Sequence, residues 1–293
     1  MDRNFRKQTE AGLWPAGFRG AVALTFDVDA ESVMLAADPE HAERASLMSH
    51  QRYGPAVGVP RILRILAERG LRATFFVPGY TAEQHPEVVA AICGGGHEIA
   101  HHGYLHELLT SAGEAAEREY LERGLEALDK IAGVRPAGYR APWWETTPRT
   151  LGLLAEYGFS YDSSLFDADL PGIRQTPDGE IVEIPVSWAL DDWERYAFWP
   201  GVTGSGVIER ASAVAEHWWE EVLAYEDEGG CCVLTMHPFL SGRPARAKAL
   251  AGLIDRITER GLMWVASMGE IAERTRTATA SSAGTGGHSD GIG

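Results

Sequence analysis

Short strand-like runs alternate along this chain with longer stretches of helical spacing. The strand-like runs are "AVALTF" (21–26), "RATFFVPG" (72–79), "HEIAHH" (97–102), "AGYRAP" (137–142), "FSYDSS" (159–164), "IVEIPVSW" (181–188), "CCVLTMHP" (231–238) and "LMWVAS" (262–267). Residues 59–70 place apolar side chains at 62, 63, 65 and 66, one face of a helix. Residues 85–96 read as a short helix stopped by glycines, and Ser111 with Glu114 as the capping box of a helix running to about Gly133. Thr147 and Pro148 start the next helix, and two more are expected over about 206–227 and 244–260. Ser267 with Glu270 caps a last short one. Such alternation predicts a mostly parallel sheet, closed or open. Residues 1–19 read as an arm and 20–275 as one α/β body. Residues 276–293, rich in Ser, Thr and Gly, read as a disordered tail.

The polar residues that stand out sit where strands end: Asp27 and Asp29, His101 to His106, Arg140, Asp162 and His237. Sites in parallel α/β folds lie at that carboxyl edge. Asp27 and Asp29 are two positions apart and project to one face, where their repulsion demands a cation or proton between them. His102 and His106 have an i, i+4 spacing that a helical turn or a tight Gly-containing loop would bring together. Two imidazoles and one carboxylate form a facial set for a divalent transition metal, with Asp29 as the carboxylate and Asp27 left beside it as a base. Zinc is the first expectation for this single ion, and cobalt, manganese or iron suit the same donors.

His237, with an intrinsic pKa near ~6.5, suits proton delivery to a leaving nitrogen. Trp143 and Trp144 are expected to wall a substrate pocket. Arg243, with Arg246 nearby, is a candidate for binding a substrate carboxylate, against the competing reading of a helix start with exposed arginines. Asp191, Asp192 and Trp193 are candidates for a pocket rim, with a solvated acidic loop the favoured reading, and His101, Trp218 and Trp219 read as packing. Residues 30–56 are long for a βα connection and are a candidate lid.

Composition narrows the field. The chain has 293 residues, 45% hydrophobic, enough for a large core. Lys and Arg total 26 against 42 Asp and Glu, a formal charge of −16, which argues against nucleic acid or an anionic membrane as partner. The first residues lack the apolar stretch of a signal peptide, and no run nears the ~18 residues of a membrane span. Three cysteines without C-x-x-C spacing read as reduced, buried thiols, so a cytoplasmic protein is expected. The oligomeric state is left open, a homo-oligomer included.

The segments "TFDVD", "HGYLH", "YRAPWW", "YDSS", "VEIPVSW" and "LTMHP", in that order, resemble the polysaccharide deacetylase superfamily (NodB homology, carbohydrate esterase family 4) over about residues 20–272. "APWWE", "VEIP" followed by "LDD", and "HPFLSGRPAR" are most similar to its branch of Helicobacter peptidoglycan deacetylase, cyclic imide hydrolases and allantoinase-like members. The resemblance implies a distorted (β/α) barrel, often seven-stranded, and metal-dependent hydrolysis of C–N bonds other than peptide bonds. It implies Asp27 as general base, Arg140 as its brace, Asp29, His102 and His106 as metal ligands, and His237 as general acid.

D-V-D, H-G-Y-L-H and R-A-P-W-W depart from the adjacent aspartates, H-S/T-x-x-H and R-P-P-Y of polymer-active members. The expected substrate is therefore a small intracellular amide, ureide or cyclic imide. The alternatives are an N-acetylated saccharide or peptidoglycan fragment, and a non-catalytic carbohydrate-binding barrel. The last would have lost a ligand or base, and none is lost here.

Overall fold

Strand β1 (Gly20–Asp27) is buried at all eight positions, as a strand covered on both faces must be. In the computed structural model, which describes residues 12–200 and 207–285, it lies inside a nine-stranded sheet. The other strands are β2 (Thr74–Val77), β3 (Glu98–His101), β4 (Gly138–Tyr139), β5 (Tyr161–Asp162), β6 (Gly172–Thr176), β7 (Gly179–Glu183), β8 (Cys231–Met236) and β9 (Met263–Ala266). Their order is β6-β7-β5-β4-β3-β2-β1-β8, with β9 on the first half of β1 and β2 on its second half. All pairings are parallel except β6 with β7.

The sheet curls back on itself. The chain leaving β7 meets β8 at a bridge between Asp191 and Thr235, where Asp192 N donates to Thr235 O at 3.1 Å. The result is a distorted α/β barrel, with nine strands rather than the expected seven. Every strand-like run is a strand; β6, the half-exposed and mostly polar "GIRQT", is the addition that apolar patterning does not mark.

Alternation along β1 sorts its side chains. Val22, Leu24 and Phe26 join the core beneath the outer helices, while Ala21 and Ala23 face the barrel interior. Thr25 and Asp27 continue that interior file, which ends at the open carboxyl edge. The helices turn their apolar stripes to the sheet: Ile62, Ile65 and Leu66 in Val59–Ala67, and Val214, Trp218 and Val222 in Ala211–Glu228.

Several expectations are corrected. The helix Glu114–Ala132 starts after Gly113, and Ser111 instead closes a 3-10 turn, its hydroxyl donating to Leu108 O at 2.9 Å. Ser267 and Glu270 do form a reciprocal box, with N–H to side-chain distances of 2.9 and 3.3 Å. The helix they start is long, Met268–Thr285, so the chain beyond 275 is not a disordered tail as far as 285; its last residues lie outside the described ones. Ala278 packs on the inner core, and Thr277 and Thr279 satisfy their hydroxyls on carbonyls four residues back.

The lid candidate is a packed wall. Val33, Met34, Leu47 and Met48 form a small core against Trp193 and Trp199. Glu31 ties this segment down, accepting from Arg52 Nε and meeting His85 Nε2, both at 2.9 Å.

Candidate active site

At the carboxyl edge the barrel opens into a cavity of about 90 Å3, lined by Asp27, Asp29, His102, His106, Asp191 and His237 below tryptophans 143, 144, 188 and 193. Asp29 Oδ1 stands 3.5 Å from His102 Nε2, and its Oδ2 stands 3.7 Å from His106 Nε2 and 3.6 Å from His237 Nε2. Both oxygens are buried without a hydrogen-bond partner among the described residues. Burial, and secondarily Asp27, push the Asp29 carboxyl up to about 7 against the pull of His237. Donors about 2.1 Å from one tetrahedral ion lie about 3.4 Å apart, so this spacing fits a small divalent cation.

The imidazoles are prepared for the same role. His102 Nδ1 donates to Arg140 O at 2.8 Å; a carbonyl only accepts, so the lone pair of Nε2 faces Asp29. Burial pushes His102 down to about 3 and His106 well below its ordinary value, keeping both neutral. The loop that carries them is not helical. It turns at Gly103 (φ 71°) and at His106 itself (φ 63°). His101 shapes it from behind, accepting from Gly103 N at 3.1 Å and donating to Leu121 O at 3.0 Å.

Arg140 is fully buried and brings β4 to β1. Its Nη1 donates to Asp27 Oδ1 at 2.7 Å and Thr25 Oγ1 at 3.0 Å, and its plane lies over Phe76. Ser163 takes the remaining donors, at 3.3 Å to its carbonyl and its hydroxyl. Behind it, Ser164 Oγ accepts from Ala141 N at 2.9 Å and donates to Asp162 Oδ1 at 2.7 Å. Glu183, the register partner of Asp162, accepts from the Ser164 and Leu165 N–H groups at 3.1 and 2.9 Å.

On the opposite side His237 Nδ1 lies 2.7 Å from Asp192 Oδ1, which also accepts His237 N at 3.0 Å; Ser241 Oγ bonds the other Asp192 oxygen. Against the cost of burial, Asp192, then Asp191 and Asp29, raise His237 to about 10, so it carries a proton at neutral pH with Nε2 toward the cavity. Asp191, Asp192 and His237 also cluster closely enough for a cation, but Asp192 and His237 already bond each other and Asp191 Oδ1 accepts from Trp193 N at 2.7 Å.

The structure therefore gathers Asp27, Asp29, His102, His106, Arg140, His237, Trp143 and Trp144. It does not bring Arg243 there: at the start of the helix Pro244–Arg260, its guanidinium lies 3.6 Å over Tyr53 and its Nε donates to Phe239 O. Asp191 and Asp192, read as a solvated loop, are buried. Their position shortly after the strand-like run 181–188, toward the carboxyl edge shared with His237, was the signal that could have found them. Trp193, a rim candidate in the sequence, does line the cavity, and Trp188 was missed.

The family profile "Polysaccharide deacetylase" matches residues 19–161. Peptidoglycan deacetylase of Helicobacter pylori is 29% identical over 254 residues, covering 77% of this chain and 86% of that protein. The crystal structure of a Mycobacterium smegmatis protein assigned as a polysaccharide deacetylase superposes with a TM-score of 0.90 at 55% identity, covering 91% of this chain and 93% of that one. That of the Puue allantoinase superposes with a TM-score of 0.80 at 25% identity, covering 90% and 92%.

Proposed function

We propose that this chain, which belongs to the polysaccharide deacetylase family, is a metal-dependent hydrolase that opens a C–N bond of a compact amide, ureide or cyclic imide. The observation that carries the reading is the unpartnered, buried Asp29 carboxylate facing two neutral imidazoles at the floor of a cavity of about 90 Å3. Asp29, His102 and His106 would hold one divalent cation, zinc by preference, which polarises the carbonyl and lowers the pKa of water.

The chain's own residues supply the rest. Asp27, oriented by Arg140, takes the proton of the attacking water. His237, held with its proton by Asp192, delivers it from Nε2 to the leaving nitrogen, so that nitrogen parts from the carbonyl carbon as a neutral N–H group. The tryptophans around the mouth exclude bulk water, which strengthens each of these electrostatic contacts.

The size of the cavity and the tryptophan walls support a compact substrate, as does the likeness to an allantoinase, since allantoin is a cyclic ureide. An N-acetylated saccharide is the second reading, favoured by the Helicobacter relative named a peptidoglycan deacetylase. Parallel assays of succinimide, allantoin and N-acetylglucosamine oligomers, with zinc and equal enzyme, separate the two. Ring opening of an imide or ureide at the higher kcat/KM is the expected result. Faster acetate release from the oligomers would overturn the substrate assignment.

A further inference from the structure

The two adjacent tryptophans of "APWWE" part company. Trp143 (φ 60°, ψ 7°) and Trp144 (φ 54°) are both left-handed, a conformation that costs a bulky residue about 1–2 kcal/mol each. The turn sends Trp143 over His106, ring centroids 5.0 Å apart, and toward Trp193 at 5.9 Å. Trp144 instead packs at 4.5 Å on Trp188 and 5.4 Å on Phe166. Phe166 and Trp188 stack on each other at 5.6 Å with planes only 22° apart. Trp144 is buried beneath, while Trp188 is 47% and Phe166 45% exposed.

The mouth thus carries two exposed, nearly parallel rings, backed by a third and continuous with the cavity through Trp144 and Trp188, and the outer face of Trp188 is left as a ledge. The strained turn at Trp143 and Trp144 sets the backing ring, Trp144, beneath it. A ligand filling only the cavity would leave this ledge wet. Away from the proposed cation and His237 on the cavity floor, the mouth is lined by uncharged tryptophans and by Glu194, which has no ion-pair partner among the described residues. The surroundings disfavour an anionic group and accept hydrogen bonds from N–H or O–H.

We propose that Trp188 and Phe166 form an outer subsite that stacks on an uncharged, C–H-bearing ring attached to the amide or imide hydrolysed in the cavity, with Glu194 accepting from donors on the ring's edge. This deepens the proposed function and rests on it. The ring can be a carbon substituent of an imide or the pyranose of an N-acetyl sugar, and two arms of the test distinguish them.

The test compares kcat/KM for phenylsuccinimide against succinimide, and for N-acetylglucosamine against N-acetylethanolamine, in wild type and in W188A. In the arm that carries the natural chemistry, the ratio of ring-bearing to bare substrate should fall about 3- to 10-fold in W188A, the range of an aromatic contact. F166A should lower the same ratio by less. Ratios unchanged in both arms would overturn the subsite, as would a W188A protein that runs at half the native mass, since a second copy would then cover the ledge. If the wild type turns over none of the four, the proposed function fails instead. Quenching of tryptophan fluorescence by the same pairs then tests the subsite alone, through the ratio of Kd values in wild type and F166A.

Discussion

Two pairs of carboxyls are buried at the carboxyl ends of strands in one sheet, and they are neutralised in opposite ways. Asp27 and Asp29 end the interior file of β1 and face the cavity. Asp27 meets Arg140, and Asp29 is left with two unpartnered oxygens opposite neutral imidazoles. Asp162 and Glu183 face each other across β5 and β7, fully enclosed. Each has one oxygen satisfied by hydroxyl or backbone donors, and the remaining Asp162 Oδ2 and Glu183 Oε2 have no donor among the described residues. Burial, reinforced by Glu183, pushes Asp162 well above the carboxylate range, so one proton is shared between them. The same chemistry yields a cation site where the wall opens to solvent and a proton-bridged strut where it does not. The strut holds the turn at 163–164 that receives Arg140, so the enclosed pair orients the open one.

This contrast can be broken at either end, and the largest effect is expected at the open pair. Purified wild-type protein should carry about one divalent ion per chain, and H106A almost none by elemental analysis, with hydrolysis lost. Equal metal in the two would remove the ligand assignment. D27N should keep its metal and lose about 10²–10⁴-fold in kcat, the range of general-base contributions. A kcat within a few-fold of wild type on a confirmed substrate refutes the role of Asp27.

The enclosed pair should respond in stability and not in metal. In D162N or E183Q alone the amide N–H2 stands in for the shared proton, and urea denaturation should show a change under about 1 kcal/mol. In D162N/E183Q two donors face each other, and a loss of about 2–4 kcal/mol beyond the sum of the singles is expected. Additive singles would mean that no proton is shared. A pH series sharpens the point with the smallest effect. The folded pair keeps a proton that the unfolded chain releases near pH ~4, so this contribution is complete below that pH and declines as pH rises through the folded value. The slope is at most about 1.4 kcal/mol per pH unit. D162N should flatten it.

Much of this was legible in the residues. All eight strand-like runs are strands, and Asp27, Asp29, Arg140 and His237 lie at one edge because parallel strands end together. Three of the wrong readings share one cause. Arg243 looked like a substrate ligand, and Asp191 and Asp192 looked like solvated acids, because a sequence displays charge without displaying burial. The helix through Thr285 was hidden in the same way: its threonines and alanines are poor evidence of order until a core is available to pack on.

The sequence by itself determined what the chain's own geometry carries over short range: two aspartates on one face of a strand, two histidines within one loop, two tryptophans in succession. Only the tertiary structure decided which partner each would meet. Arg140 reaches Asp27 across 113 residues, and His237 reaches Asp192 across 45. Glu183 opposes Asp162 only because β5 and β7 are in that register. A strand's side-chain period is two, so a one-residue slip would turn Asp162 to the opposite face and open the strut. Register is set by the packing of the whole barrel, and no local spacing encodes it.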